Sequence, residues 1–390
     1  MSSKIFENAL ERVRAHLNSG HFEEALAEAD DLSRRYPGAP DPHVCRGLAC
    51  AALERYEEEV FAYEAAIALA PKHIDAWMNL GVAHLSAARG GPAREAFKEV
   101  LKVRPKDIQA RLHLAQAYLI EESPKDAALI LDEVTREHPC QGEAWLNLGV
   151  SYASLGKKGE AAKSFSKAQG LLPNDPQPYL NLGALCYSEG KISDAVDSYI
   201  DALRLTPDDA DAHFNLALAH LAQENYTPAL EQLREVCHLR PNDLEAWVHL
   251  GNALLKMDNS QGAAEAYNEA LRLEPERAEA HYNLGVIHAR GERTQEAIES
   301  FRKALVYNPD DVEARIYLGV VYMARNEFPE ALQEFERAVQ KNSDHAEARY
   351  NLGLALCRLG KKDEAQEHYF RLLDDHPDLA AQLNTWIHSM

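Results

Sequence analysis

Proline recurs on one arithmetic series. Pro37, Pro71, Pro105, Pro139, Pro173, Pro207, Pro241, Pro275, Pro309 and Pro377 stand 34 residues, or a multiple of it, apart, and Ser343 occupies the one vacant term. No insertion or deletion disturbs the register. Proline cannot continue a helix, because it lacks the amide hydrogen and its ring clashes with the preceding turn. A stop signal at a fixed interval means that one unit is built again and again. A period of this size implies a solenoid, propeller or array. Without it, 390 residues would suggest roughly two or three globular domains.

Other residues keep the same interval. One slot holds Trp77, Trp145, Tyr179, His213, Trp247 and His281. Four residues later glycine recurs as Gly81, Gly149, Gly183, Gly251 and Gly285, and in the same register as Gly47, Gly319 and Gly353. An alanine slot holds Ala25, Ala93, Ala127, Ala161, Ala195, Ala229, Ala263, Ala297, Ala331 and Ala365. Its bulky companion, four residues on, is Tyr63, Phe97, Phe165, Tyr199, Tyr267, Phe301, Phe335 or Tyr369. Trp145, Leu148 and Tyr152 fall at i, i+3 and i+7, one face of a helix. This unit resembles the tetratricopeptide repeat, with its small, aromatic and proline marks at these offsets. The resemblance covers residues 6 to about 379. It implies an all-α fold, a right-handed superhelical solenoid of stacked antiparallel helix pairs.

Each mark has a physical reason in that frame. Gly149 and Ala161 are expected to remove bulk where the backbones of paired helices approach, with Phe165 and Trp145 filling the space beside them. Pro92, Pro124, Pro228 and Pro329 fall at opening turns of second helices, where a missing amide hydrogen does no harm. One pair cannot bury its own apolar face, so pairs must stack. The register divides the chain into a divergent N-terminal repeat or cap over 6–39, ten repeats over 40–379 and a capping helix over 380–390. The first unit has Ala9 and Val13 where others carry an aromatic and a glycine. Units near 108–141 and 210–243 are irregular: Ala115 and Ala217 replace the glycine, Leu131 and Leu233 the ring. Leu379, Leu383, Trp386 and Met390 form one terminal stripe, read as a cover for the last repeat, with a docking helix for a partner as the alternative.

A second recurrence needs its own explanation. Asn79, Asn147, Asn181, Asn215, Asn283 and Asn351 share one slot in the middle of first helices, completed by Cys45, His113, His249 and Tyr317. Asparagine is a poor helix former, disfavoured by about 0.5 kcal/mol or more against alanine. The pattern resembles the asparagine ladder in the repeat region of O-GlcNAc transferases. The resemblance implies that first helices line a concave groove, where such amides bond the backbone of an extended peptide. One amide offers both a donor and an acceptor, so it can pair with any peptide unit regardless of side chain. The competing reading is that these amides bond neighbouring helices and set the superhelix pitch. One residue earlier lies an apolar slot: Val44, Met78, Leu112, Leu146, Leu180, Phe214, Val248, Tyr282, Ile316 and Tyr350. Three residues after the amides come Val82, Val150, Leu218, Val286, Val320 and Leu354. Such a wall suits apolar side chains of a bound segment, or packs one first helix on the next. The candidate groove residues are therefore the six asparagines with His113, His249, Tyr317, Phe214, Tyr282 and Tyr350.

Other chemistry is not supported. The Leu146 slot lacks the Lys and Arg with which some tetratricopeptide proteins clamp chaperone carboxylates. The Glu143 slot is mostly acidic (Asp41, Asp75, Asp211, Glu245, Glu279, Glu313, Glu347), which suits a helix N-terminus and would favour basic partners. A formal charge of −21 argues against nucleic acid, which needs clustered cations. His213 and His220, like His281 and His288, are two helical turns apart, about 10.5 Å of rise, too far to share one zinc unaided. They occupy slots held elsewhere by Trp, Tyr or Leu, so packing is expected. No nucleophile elbow, P-loop or dinucleotide fingerprint is present. No transferase domain is expected after the repeats. Six scattered cysteines do not read as a disulfide framework. No apolar run is long enough to span a membrane, and MSSKIFENALERVRAH has no signal-peptide core, so cytoplasmic residence is expected. The expectation is a non-catalytic scaffold without metal or cofactor that binds protein or peptide partners. Two alternatives stand beside it. One is an assembly subunit, including a homo-oligomer, that uses its convex surface or end caps. The other is an accessory scaffold to a separate transferase or secretion machinery.

Overall fold

The computed structural model of the protein describes residues 2–389. Met390, the last member of the terminal stripe, lies outside them. The described residues form 23 α-helices and no strand. Eleven pairs follow one another: α1 (Ser2–Asn18) with α2 (Phe22–Arg35), α3 (Asp41–Ala52) with α4 (Tyr56–Leu69), α5 (Ile74–Ser86) with α6 (Gly90–Val103), α7 (Ile108–Ile120) with α8 (Pro124–Glu137), α9 (Gly142–Ser154) with α10 (Lys158–Leu171), and α11 (Gln177–Ser188) with α12 (Ile192–Leu205). Then come α13 (Ala210–Ala222) with α14 (Tyr226–Leu239), α15 (Leu244–Lys256) with α16 (Ser260–Leu273), α17 (Ala278–Arg290) with α18 (Thr294–Tyr307), α19 (Val312–Ala324) with α20 (Phe328–Lys341), α21 (Ala346–Arg358) with α22 (Lys362–Leu373), and the single α23 (Pro377–His388). The chain divides into two compact units, Met1–Pro207 and Asp208–Met390. No described helix is long and apolar enough to cross a membrane.

The two turns of each repeat have separate causes. Within a pair, one residue between the helices takes a left-handed conformation. It is Gly20, Gly156, Gly190 or Gly360 in four pairs, and Glu54, Ala88, Glu122, Glu224, Asp258, Glu292 or Asn326 in the others. The next residue closes the first helix by a long backward bond, as Lys157 N–H does to Tyr152 O at 2.9 Å. That is the Schellman arrangement, which satisfies orphaned carbonyls at a helix end. Between pairs, the residue before each series position leaves helical geometry, as at Leu172 (φ −123°, ψ 61°), a conformation that a following proline ring favours and that Asn342 before Ser343 adopts as well.

Glycine and ring fit one another directly. A Cβ on Gly149 would lie 2.5 Å from Phe165 Cδ1, and one on Gly81 2.5 Å from Phe97 Cε1. The expected close approach of backbones is therefore corrected: the glycine makes room for the aromatic edge. The irregular pairs obey the same rule. Ala115 with Leu131 and Ala217 with Leu233 are all fully buried, so a smaller partner admits one methyl group.

The Trp145 slot has a role beyond filling space. Trp77, Trp145 and Trp247 donate Nε1–H to the carbonyls of Pro71, Pro139 and Pro241 at 2.9, 2.9 and 3.0 Å. Arg315 reaches Pro309 O at 2.8 Å, Arg349 donates to Ser343 O, and His281 Nε2 pairs with Pro275 O at 2.9 Å. Each bond ties a first helix to the turn that precedes it.

The last pair departs from the pattern. Gly353 faces Leu383 of α23, whose Cδ2 lies 2.5 Å from a Cβ built there. Tyr369 stays half-buried beside Phe370, ring centroids 5.2 Å apart. Pro377 opens α23, so this helix begins three residues before the boundary expected at 380.

Candidate functional site

First helices approach each other through the first unit and in the C-terminal part of the second. In the first unit α1 touches α3, and contacts continue α3–α5, α5–α7, α7–α9 and α9–α11. In the second, α17 touches α19 and α19 touches α21. Within either unit, no two second helices make comparable contact. A stack closer on one side bends toward it, so where these contacts run first helices lie on the inner side of the stack.

Asn79, Asn147 and Asn181 sit on α5, α9 and α11 of the first unit, and Asn215, Asn283 and Asn351 on α13, α17 and α21 of the second. All six are half-buried. Asn283 Nδ2 donates to Asn252 Oδ1 at 3.1 Å, and that oxygen also accepts the Tyr267 hydroxyl at 2.6 Å. Asn252 in turn donates to Glu279 at 3.1 Å. The other five amides make no side-chain hydrogen bond to any described residue, and none has a polar atom sealed from solvent.

The aromatic members of the expected set are used differently. His113 stacks on Phe97 at 5.3 Å and its Nδ1 pairs with Gln116 at 3.1 Å. His249 meets Phe214 edge-on at 5.6 Å. Tyr282, Phe301 and Tyr317 form one ring cluster with centroids 5.8 to 6.0 Å apart. Burial, with Tyr317 beside it, raises the Tyr282 hydroxyl well above its ordinary value. Tyr350 packs partly buried on the core of the last pairs. The slot of Leu146 is thus largely a packing slot, with Leu112, Val248 and Ile316 almost fully buried.

The apolar surface facing solvent lies one turn further on. Leu48, Val82 and Val320 are each about two-fifths exposed, whereas Val286 is buried. Leu48 was missed from the sequence, although it stands 34 residues before Val82. Beside it is a cavity of about 380 Å³ lined by Arg14, Asp41, Val44, Cys45, Leu48, His73, Asp75, Met78 and Asn79. Its lining joins apolar side chains with charged ones, Arg14 standing 3.4 Å from Asp41. Burial pushes the Cys45 thiol up, so it is a neutral packing group there. Arg14 belongs to the divergent first pair, where no register signal marks it.

Much of the acidic slot is engaged by side chains of the same or the next pair. Asp211 pairs with Arg240 at 2.6 Å, Glu245 with Arg277 at 2.8 Å and Glu313 with His345 at 2.9 Å. The Arg240 guanidinium holds Asp211 below the usual carboxylate range. The four histidines weighed as metal ligands are spread over packing contacts: His281 is buried against Tyr307 at 5.6 Å, and His213 Nδ1 bonds Gln232 at 2.7 Å. No group of three or more His, Cys, Asp or Glu side chains converges as a metal site among the described residues.

Comparison with known proteins agrees with this architecture. A tetratricopeptide-repeat family model, described as the cilia and flagella-associated protein 70 C-terminal domain, matches residues 18–284. The chain belongs to this family. A second model, described as tetratricopeptide repeat, matches residues 290–342 and 318–380. The fold class of this tetratricopeptide-repeat protein is the all-α, right-handed superhelical solenoid of stacked helix pairs. Similar solved structures include YrrB, described as a tetratricopeptide-repeat protein with an unusual peptide-binding site (24% identity over 48% of this chain and 96% of that one, TM-score 0.44). The APC/C hetero-tetramer Cut9–Hcn1 is similar over 96% of this chain and 95% of its own (13% identity, TM-score 0.45). Yeast Tom70 is similar over 100% and 96% (13% identity, TM-score 0.40). No curated protein matches.

Proposed function

We propose that this tetratricopeptide-repeat protein is a non-catalytic scaffold that holds extended segments of partner proteins against the first helices of each unit. The observation that carries this reading is the set of five ladder amides that make no side-chain hydrogen bond among the described residues. A half-buried helical amide that makes no side-chain hydrogen bond to the described residues is poorly explained as a packing device. It is well explained as a donor and acceptor kept for a peptide backbone. Leu48, Val82 and Val320 supply apolar contact beside it, and the cavity next to Asn79 is large enough for one side chain of the bound segment. The ring clusters around Phe214 and Tyr282 hold the wall in shape.

The competing role, setting helix pitch, is favoured at Asn283 alone, where the bond to Asn252 spans two first helices. The test uses an array of unstructured peptides and the full chain. Asn79→Ala/Asn147→Ala/Asn181→Ala should keep or raise the thermal midpoint, alanine being the better helix former, and lose about tenfold or more in peptide affinity, since each lost hydrogen bond is worth roughly 0.5–1.5 kcal/mol. A lowered midpoint with unchanged binding would overturn the reading.

A further inference from the structure

The seat beside Gly353 has two in-chain candidates. Gly353 and Tyr369 are separated by the same interval as Gly285 and Phe301, or Gly319 and Phe335. In those two earlier pairs a Cβ on the glycine would come within 2.7 and 2.5 Å of the ring. At Gly353 the near atoms belong to Leu383 instead, with Cδ2 at 2.5 Å. Leu383 is fully buried, while Tyr369 is half-buried and its neighbour Phe370 is 58% exposed. Both groups cannot occupy that space, since interiors pack at van der Waals contact.

The two occupants belong to different helices joined by a short link. Tyr369 is on α22, whose Ala365 and Leu372 are buried. Leu383 is on α23, a helix of 12 residues with three buried residues, Ala380, Leu383 and Ile387. The link between them, Asp374 to His376, is short and exposed. Trp386, on the same helix, is 39% exposed under the Arg358 guanidinium, 5.1 Å from its ring centroid.

We infer that α23 is a releasable plug. With α23 docked, Leu383 fills the seat and Tyr369 stands aside. With α23 released, Tyr369 turns into the seat, and the last pair closes as the pairs before it do. The released state uncovers the face of α21 and α22 that α23 protects, and frees an amphipathic helix carrying Leu383 and Ile387. A ring of the right size at the right interval makes release cheaper than opening an empty cavity.

Hydrogen exchange on the full chain tests this. Leu383→Ala should speed exchange in residues 377–389 about tenfold or more, while amides of α21 and α22 stay within about threefold of wild type, because the seat refills. Tyr369→Ala alone should change little. The double variant should speed α21 and α22 about tenfold beyond Leu383→Ala. Three outcomes overturn the plug: α21 and α22 opening together with α23 in Leu383→Ala, Tyr369→Ala having the same effect in both backgrounds, or Leu383→Ala leaving α23 as protected as wild type.

Discussion

At Gly149 a single hydrogen in place of a methyl decides how two helices meet. Its Cβ site is 2.5 Å from the Phe165 ring, so Gly149→Ala should destabilise the protein by about 1–3 kcal/mol through overpacking. Adding Phe165→Leu should recover most of that loss, because Ala115 with Leu131 already fills the equivalent volume in this chain. Chemical denaturation of the two variants measures both numbers. Recovery that fails would mean that the ring makes contacts the leucine cannot replace. The left-handed turn residue offers a second case. Ala88 has φ of 54°, where a Cβ meets the following carbonyl at a cost of roughly 1–2 kcal/mol. Ala88→Gly should therefore stabilise by up to about 1 kcal/mol after the glycine's larger unfolded-state entropy is counted. A drop in the denaturation midpoint would refute this.

At the scale of the element, what ends a helix and what begins the next are set by different residues. The turn after α20 reaches nearly the same geometry as its neighbours without their proline. Asn342, before Ser343, has φ −133° and ψ 95°, against −127° and 84° for Asn308 before Pro309. Backbone conformation is thus already compatible with the ring. Ser343→Pro should raise stability by about 0.4–1 kcal/mol by restricting the unfolded chain, read as a higher denaturant midpoint at unchanged slope. The next helix start is then held by donors in the Trp145 slot and by caps such as Asp311 Oδ1, which accepts from Ala314 N at 3.0 Å.

Over the whole molecule, buried imidazoles link stability to pH. Burial lowers His43, His84, His220, His281, His288 and His368 from an ordinary value of 6.5. The folded state therefore prefers them neutral. As pH falls below about 6.5 the unfolded chain takes up protons first, so the unfolded state gains and stability falls. Stability should be level from pH 8 to 7 and decline from 6.5 toward 5, above the range where the paired carboxylates titrate. The Nδ1 atoms of His220 and His288 are buried without a partner, and their slot holds Tyr152 in another repeat. His220→Tyr/His288→Tyr should flatten the decline in a thermal midpoint series. An unchanged slope would assign it to other groups.

The register was legible from residues alone because proline and glycine act through local sterics that no neighbour can override. Helix pairing and the position of the asparagine slot follow from it, whereas the sequence reading placed a backbone approach where the structure seats a ring against each of seven glycines. Three features depended on the tertiary structure. Leu383, rather than Tyr369, fills the Gly353 seat, because the orientation of α23 is set by packing and not by spacing. Asn283 is bonded while five equivalent amides make no side-chain bond among the described residues, because the preceding repeat presents Asn252 where most other repeats present an apolar side chain. Trp145 donates to a carbonyl six residues back, an acceptor that exists only once the turn at Pro139 has folded. The periodic sequence determined the unit and its repetition. Only contact between successive repeats decided which side chains were consumed by the stack and which remained for a partner, because a half-buried position keeps its polar atoms free or loses them according to what the adjacent helix presents.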